Sequence, residues 1–430
     1  MNISVIVLGA GKGTRMKSNN PKVLHKISGK SMISHVIDSV KDISDDIVVV
    51  LSHQAKRIED ELNREYNNLK FHIQDLENFP GTAGALRGIS PRYEKVLILN
   101  GDMPLITKES IGKLIEKDGD INLSVLELEN PKGYGRVVIE NGEIREIVEE
   151  KDCSPTQRDI KSVNGGVYCL KREVLEEYIP RIDNSNAQKE YYLTDIIKLA
   201  VDDSRVVNPI FVDESEFKGV NSKYDLAVAE EIMQKRIKRE LMESGVTMRL
   251  PDTIFIDINS QFEGEVTLES GVSILGDSKI VNSHIKSNSI VESSIVKDSE
   301  VGPMARVRPE SNIIDSKIGN FVEVKKSTLN GVKAGHLSYL GDSTIDEGTN
   351  IGAGVITCNY DGKAKHKTII GKNVFVGSDS QLVAPIIIED SVMVGAGTTV
   401  TKNIKEGSLA ISRVKLKVVK DFFYKFFGRG

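Results

Sequence analysis

Cysteine is scarce in this chain of 430 residues, with Cys153, Cys169 and Cys358 its only three. Thiols so scattered make neither a disulfide framework nor a zinc-ligand spacing, so buried, inert thiols in a reducing compartment are expected. Long apolar runs are also lacking. None is long enough to cross a bilayer, and Met1 opens no charged-then-apolar signal segment, which predicts a cytoplasmic protein with no integral membrane part. Nor is there an excess of basic charge. The formal net charge is -5, with 28% charged and 39% hydrophobic residues. That is a soluble globular composition, and it argues against a nucleic-acid partner, which would call for a basic face.

What is present falls into two textures. The length exceeds what one ordinary core fills, so two domains are expected. Up to about residue 220, strand candidates Val5–Leu8, Ile47–Leu51, Val96–Leu99 and Leu123–Leu126 alternate with helix candidates such as Met32–Val40 and Ala55–Tyr66. Strand then helix, repeated, predicts a Rossmann-like α/β domain with an open, largely parallel sheet. Ligands on such sheets sit outside the carboxyl ends of the strands. The stretch Asp225–Met242 holds no Gly or Pro and predicts one long charged helix. It is either a surface helix of the first domain or, given its position, a connecting arm.

After about residue 250 an aliphatic or aromatic residue recurs every six positions. The runs are Phe262, Leu268, Ile274 and Ile280; then Ile295, Val301, Val307 and Ile313; then Ile370, Val376, Leu382, Ile388, Val394 and Val400. A six-residue period marks a parallel β-helix, with one short strand and one turn per hexapeptide. Gly follows the aliphatic in Ile318-Gly319, Ile351-Gly352, Val376-Gly377 and Val394-Gly395. Between about 280 and 350 the period is degenerate, which predicts insertions leaving the coil there. The division expected is 1–223, a linker helix over 224–244, and 245–430.

The first candidate site is Leu8-Gly9-Ala10-Gly11-Lys12-Gly13-Thr14-Arg15-Met16, directly after the first strand, with Pro21-Lys22 close behind. Glycines let backbone N–H groups approach an anion, and Arg15 and Lys22 add two cations for a triphosphate. The spacing is neither a P-loop nor a dinucleotide fingerprint. With Thr-Arg-Met and Pro-Lys included, the chain resembles the sugar-1-phosphate nucleotidyltransferases. More closely, it resembles the bacterial family of bifunctional N-acetylglucosamine-1-phosphate uridyltransferase/glucosamine-1-phosphate N-acetyltransferases. The likeness covers nearly the whole chain and is strongest over 8–25, 100–104, 133–136, 219–221, 303–309 and 319–413.

That resemblance implies a set of roles. Leu8, Gly9, Ala10, Gly11 and Lys22 would hold the nucleotide, and Gln74, Gly81 and Thr82 would face uracil. Asp102 and Asn221 would bind Mg²⁺, and Gly135, Glu149 and Asn164 would contact the sugar. The sugar phosphate would attack the α-phosphate of UTP in line and pyrophosphate would leave, with Mg²⁺, Arg15 and Lys22 absorbing charge, a task of alignment and neutralisation. Three positions depart from the usual family pattern. Gly9 stands where Ala is common, Asn100 where Tyr is common, and Gly165 where Thr is common.

The second candidate site is Val332–Asp342, VKAGHLSYLGD, read as an interruption of the hexapeptide register. Acetyl transfer from a thioester to an amine needs a base, and histidine titrates in the right range. A lone histidine is commonly structural or exposed, but here Arg308-Pro309, Lys325-Lys326, Tyr339 and Asn359-Tyr360 all match the family. By the resemblance His336 is the general base, oriented by Glu323. Arg308 and Lys325 would hold the sugar phosphate, and Tyr339 and Asn350 the sugar hydroxyls. Ala353, Asn359, Tyr360, Ser378, Ala396 and Arg413 would line the acetyl-CoA groove. The resemblance also implies a left-handed coil and a homotrimer with sites between subunits. The tail KLKVVKDFFYKFFGRG reads as a helix packed on a neighbouring subunit, or as a weak membrane-surface contact.

The activity so implied is acetylation of glucosamine-1-phosphate with acetyl-CoA, then UMP transfer from UTP, to supply peptidoglycan and lipopolysaccharide precursors. Two other readings stand beside it: a nucleotidyltransferase whose β-helix is merely structural, and a regulatory subunit without chemistry.

Overall fold

The structure is a computed structural model that describes residues 2–140 and 142–428. Met1 and the last two residues of the aromatic tail therefore lie outside the described residues. The chain separates into two compact units, Met1–Met233 and Gln234–Gly430.

In the first unit the strands of the main sheet are β1 (Ile3–Leu8), β2 (Asp46–Leu51), β3 (Leu69–Ile73), β4 (Lys95–Asn100), β5 (Ile121–Glu127), β6 (Arg136–Glu140), β7 (Glu143–Val148), β8 (Ser162–Lys171) and β9 (Val207–Phe211). They form one sheet in the order β9-β5-β8-β4-β1-β2-β3, with the β6–β7 hairpin carried on β8. β1 lies parallel between β2 and β4, and β8 alone on the main path runs antiparallel to its neighbours. β1 and β2 are unbroken apolar runs because both faces are covered, the usual cause of continuous hydrophobic strands. Val5, Val7, Ile33, Val36 and Leu99 pack on one face; Ile6, Val96, Ile98, Ile196 and Ile197 pack on the other.

The helix Met32–Val40 begins at Ser31, whose side chain accepts from Ser34 N, a standard N-cap. A long helix spans Lys223–Glu243. Asp225 Oδ2 accepts from the backbone N–H of Asn221 and Ser222 at 3.1 and 2.9 Å, which pins the residues just before it.

The second unit is built from three parallel sheets of ten, nine and eight very short strands. Sheet one runs from Thr247–Met248 to Leu409–Ala410, sheet two from Phe255–Ile256 to Thr399–Val400, and sheet three from Gln261–Glu263 to Ile386–Ile388. The chain visits them in turn, so each three strands close one coil of a parallel β-helix. Val301, Val307, Ile313, Ile370, Val376, Leu382, Ile388 and Val394 are all fully buried inside.

Three expectations need correction. Ile295 is 43% exposed and its neighbour Val296 is fully buried, so the inward residue had been placed one position early. The inward residues run Val296 then Val301, a step of five. The same short step joins Ile280 to Ile285 and Ile313 to Ile318. Each crosses a corner where Asn282, Asp298 or Asp315 takes a left-handed conformation, with φ of 43, 49 and 46°. Asn and Asp tolerate that region better than most residues. A buried serine follows each corner, and the serines form a ladder. Ser283 Oγ accepts from Ser299 N at 3.0 Å, Ser299 Oγ from Ser316 N at 3.0 Å, and Ser316 Oγ from Val332 N at 2.9 Å.

The second correction follows from the first. The stretch 280–350 carries no insertion; its coils are contracted. On sheet one the stacked residues are His284, Glu300, Lys317, Lys333 and Asn350, steps of 16 or 17, against 18 from Phe375 to Met393. The long coil comes later, with Asn350 stacked on Phe375, a step of 25. Third, Val332–Asp342 does not leave the register. Ala334 and Leu340 are both fully buried core positions six residues apart; Ala334 escaped the pattern because it is small.

This register makes a stability prediction. Ile313→Ala removes a buried side chain and costs about 2–5 kcal/mol, whereas Ile295→Ala on the outer face costs less than about 1 kcal/mol. Urea denaturation of the two variants checks it. Equal losses would mean that Ile295 points inward after all.

Candidate active sites

The glycine loop lies at the carboxyl end of β1. Gly9 N donates to Val50 O at 2.8 Å and Ser52 Oγ to Ala10 O at 2.6 Å, tying the loop to β2. A Cβ on Gly9 would stand 3.2 Å from Val50 O and 3.3 Å from Ile33 Cδ1, so glycine suits that position. Gly13 has φ 60°, and a Cβ there would lie 2.5 Å from Lys22 Cβ; its absence lets the Pro21-Lys22 turn press against the loop.

Four side chains then meet. Lys22 Nζ forms an ion pair with Asp102 Oδ2 and donates to Asn221 Oδ1 at 2.6 Å. Arg15 Nη2 donates to the same Asn221 oxygen at 2.9 Å. Val220 N donates to Asp102 O at 2.9 Å, joining the segment after β4 to the segment before the long helix. A carboxylate oxygen and an amide oxygen thus converge on one cationic point, a hard-oxygen donor pair that fits a hard divalent ion. Among the described residues no group of three or more His, Cys, Asp or Glu could hold a metal. An ion at this pair would therefore complete its shell with water and substrate phosphates, the usual habit of Mg²⁺.

Beside this node opens a cavity of about 490 Å³, lined among others by Leu8, Gly9, Ala10, Gly11, Lys22, Gln74, Gly81, Thr82 and Asp102. Gln74 Nε2 donates to Phe79 O at 3.1 Å and Gly81 O at 2.8 Å. Both its hydrogens are thus committed, and its carbonyl oxygen is left as an acceptor. Thr82 Oγ1 accepts from Leu193 N at 2.9 Å. Gly81, at φ 100°, packs so closely that a Cβ would meet Tyr191 O at 2.5 Å.

Gly135, Glu149 and Asn164 do not line that cavity but gather together. Asn164 N donates to Gly135 O at 2.9 Å, and a Cβ on Gly135 would come within 3.4 Å of Glu149 Oε1. Thr194 Oγ1 donates to Glu149 Oε1 at 3.0 Å, and burial raises the Glu149 pKa. The adjacent Asp195 is pushed up to about 6, first by burial, then by Asp183, Glu149 and Asp152. Thr194 and the cavity-lining Glu190 were missed in the sequence, where nothing distinguishes a buried hydroxyl from any other threonine.

In the β-helix, His336 is an exposed residue at the corner between sheets one and two. Asn320 pairs with it on the coil before, and Gly354 N donates to His336 O on the coil after. Asp379 N donates to Ala353 O at 2.7 Å and Gly397 N to Ser378 O at 2.8 Å. His336, Ala353, Ser378 and Ala396 therefore form one row along the corner, and Arg413 closes it by donating from Nε and Nη2 to Ala396 O at 3.2 and 3.1 Å. Each row member follows a glycine, and in the middle of the row those glycines have no room for a side chain. A Cβ on Gly352 would meet Ser378 N at 2.5 Å, and one on Gly377 would meet Ala396 N at 2.4 Å.

A second cluster stands where the sheet-two strands end. Arg308 Nη1 donates to Glu323 Oε1 at 2.8 Å. Glu323, expected to orient His336, pairs with Arg308 and stacks beneath Tyr339, three residues past the histidine. The Lys365 ammonium and then the Arg308 guanidinium pull the Lys325 pKa below the usual lysine range. Three cations so close call for an anion. Lys365 was missed because it lies in the hairpin bridged by Tyr360 and Lys365, inside the long coil. Asn359 Nδ2 contacts Asp342 Oδ2 and, at 3.5 Å, Tyr339 OH. Tyr360 is exposed, and its hydroxyl donates to Gly362 O at 2.8 Å. A Cβ on Gly341 would lie 2.5 Å from Tyr339 OH, so the phenol folds over a glycine. Asn350 stands apart from this cluster, on the sheet-one strand that leads into the Ala353 corner.

The MobA-like NTP transferase domain family matches residues 5–150, and the hexapeptide repeat of succinyl-transferase matches residues 367–402. A relative named Bifunctional protein GlmU from a Sulfurovum species is 62% identical over 428 residues, spanning 100% of each chain. Another of that name from a Nitratiruptor species is 60% identical over 429 residues, again 100% of each. Among solved structures, the inositol-1-phosphate CTP transferase from T. maritima aligns with a TM-score of 0.44 at 18% identity, over 55% of this chain and 96% of its own. The family matches and the stacked parallel sheets agree with a nucleotidyltransferase domain followed by a left-handed hexapeptide β-helix.

The raised Asp195 pKa has a consequence for stability. A carboxyl whose folded pKa exceeds its unfolded value of 3.8 holds its proton more tightly in the fold, so this contribution is lost as pH rises toward about 6. Asp195→Asn should therefore stabilise the protein at pH 8 by on the order of 1 kcal/mol after solvent screening, and leave it unchanged near pH 3.5. Thermal unfolding at the two pH values decides; a gain equal at both would refute the assignment.

Proposed function

The chain belongs to the bifunctional GlmU family, and from that premise we infer how its two units divide the work. It is a bifunctional enzyme of UDP-N-acetylglucosamine synthesis, feeding cell-wall construction. In our reading residues 245–430 acetylate glucosamine-1-phosphate, residues 1–223 then transfer UMP from UTP to the product, and 224–244 link them. The observation that carries this reading is 62% identity extending over 100% of the chain, so that both units match together.

For acetylation, Arg308, Lys325 and Lys365 would neutralise the sugar phosphate. His336 would take the proton as the sugar amine attacks the thioester carbonyl, and coenzyme A leaves as the thiolate. Tyr339 and Asn350 would bind the sugar hydroxyls. The row Ala353, Ser378 and Ala396 gives a thin pantetheine arm a smooth path toward His336, with Arg413 at its far end and Asn359 and Tyr360 beside it.

For uridylyl transfer, the backbone of Leu8 to Gly11 would cradle the triphosphate, with Lys22 and Arg15 drawing charge from it. The Gln74 acceptor suits the N3–H of uracil, and of thymine, whereas the N3 of cytosine carries no hydrogen. Asp102 and Asn221 would hold a divalent metal, read as Mg²⁺, which would neutralise charge on the phosphates. Glu149, Asn164 and Gly135 would face the sugar.

We also propose a homotrimer. Within one chain the His336 row and the Arg308–Lys325 cluster stand at opposite ends of sheet two, a strand of three residues and thus about 10 Å apart. A neighbouring copy could supply the missing side of each. Phe375, Met393 and Leu409 on one outer face are exposed apolar residues that such packing would cover. No helix among the described residues is long and apolar enough to cross a membrane. With UTP and acetyl-CoA as substrates, the cytoplasm is the compartment proposed.

Purified protein given glucosamine-1-phosphate, acetyl-CoA, UTP and Mg²⁺ should release free coenzyme A and pyrophosphate and yield UDP-N-acetylglucosamine. His336→Ala should lower coenzyme A release by about 10²–10⁴, with pyrophosphate release from N-acetylglucosamine-1-phosphate unchanged; Asp102→Ala should do the reverse. A wild-type protein that releases pyrophosphate but never coenzyme A would mean the β-helix is only a scaffold.

A further inference from the structure

β8 carries a wide bulge where it crosses β5. Asn164 faces Val125 and Tyr168 faces Leu123, so Gly165, Gly166 and Val167 together oppose the single residue Ser124. Bulges of this kind re-aim side chains and recur beside active sites. This one is braced from both neighbouring strands. From β5, the fully buried Ser124 Oγ accepts from Val167 N at 3.0 Å and donates to Val167 O at 3.1 Å. From β4, Asn100 Nδ2 donates to Gly166 O at 3.1 Å.

The fit leaves no slack. Gly166 has φ 78°, and a Cβ there would lie 2.6 Å from Asn100 Nδ2; a Cβ on Gly165 would lie 2.5 Å from Ser124 Oγ. The bulge in turn orients Asn164. Its Oδ1 accepts from Gly166 N at 2.8 Å, and its Nδ2 donates to Tyr168 OH at 2.8 Å. With both ends of the carboxamide tied, one N–H and one lone pair remain, pointing in fixed directions.

We propose that Ser124 and Asn100 are positioning residues for acceptor-sugar recognition: by clamping the Gly165–Val167 bulge between two strands they set the direction of the Asn164 carboxamide. This rests on the reading of Asn164, Glu149 and Gly135 as the sugar-facing wall. It also joins two of the chain's departures from the family pattern, since Asn100 and Gly165 are parts of one brace. Asn100 lines the nucleotide cavity as well, so its own substitution is ambiguous. Ser124 is fully buried, and its effect must pass through the bulge.

The test is steady-state pyrophosphate release by the full-length protein and its Ser124→Ala variant, with N-acetylglucosamine-1-phosphate and UTP varied separately. The KM for the sugar phosphate should rise about ten-fold, the scale of losing one or two internal hydrogen bonds, with the KM for UTP unchanged. Gly165→Ala should show the same split, and its effect should be smaller in the Ser124→Ala background, because the colliding hydroxyl is gone. Gly165→Ala in the wild-type background, which presses the bulge off the same hydroxyl, provides the readout should Ser124→Ala fold poorly. A parallel rise in both KM values, or a loss of kcat alone, overturns the proposal while leaving the proposed function intact. A wild-type protein inactive on N-acetylglucosamine-1-phosphate would instead overturn the function itself.

Discussion

In the β-helix each strand residue is held over its counterpart on the preceding coil by a parallel backbone ladder, about 4.8 Å away, and most of that unit follows from this constraint. It builds the core, because Ile318, Ala334, Ile351, Val376 and Val394 stack in one buried column. It also builds the candidate acetyl site. Two positions on from each core residue the ladder produces a second column, Asn320, His336, Ala353, Ser378 and Ala396. At three of the five coils the glycine between core and row is forced: a Cβ on Gly319 would come within 1.9 Å of Gly335 O, one on Gly352 within 2.5 Å of Ser378 N and one on Gly377 within 2.4 Å of Ala396 N. Fold and site in this unit are two readings of one register.

The α/β unit works by convergence instead of repetition. Lys22, Asp102 and Asn221 come from three distant segments, and a single ammonium binds both oxygens. The supporting contacts are equally non-local. Asp102 O takes the N–H of Val220, and Asp225 accepts from the backbone N–H groups of Asn221 and Ser222. The two oxygens are thus held together by contacts within the chain itself. In the β-helix the candidate anion site instead gathers like charges, with Lys365 and Arg308 both pressing on Lys325.

The legible parts of the sequence were those whose physics is local. The apolar runs of β1, β2, β4 and β5 announce strands, the glycine loop announces an anion cradle, and the later hexapeptides announce coils. The helix Met32–Val40 matches its expected bounds. What escaped depended on contacts between distant segments. Ile295 and Val296 are adjacent aliphatics, and it is Val296, five residues before Val301, that turns inward. Glu323 pairs with Arg308, fifteen residues away on the preceding coil, a contact that no local pattern announces. Ala334 is a core residue too small for a hydrophobic pattern to register. Ser124 and the β8 bulge left no signal at all, since a two-glycine stretch reads the same whether or not a serine fills the space beside it.

The coil lengths themselves bear on how the second site arose within so regular a scaffold. Contracted coils of 16 or 17 residues tighten the corners but add no new surface. The single coil of 25 residues spends its excess on one excursion, the hairpin bridged at Tyr360 and Lys365. That excursion brings Asn359 to Asp342 and Lys365 to Lys325, residues on earlier coils. A β-helix made only of hexapeptides can offer rows of side chains along its corners, and it cannot fold a cation back over them. The departure from the repeat is therefore where a cation of the long coil, Lys365, is carried back to Lys325 on an earlier one.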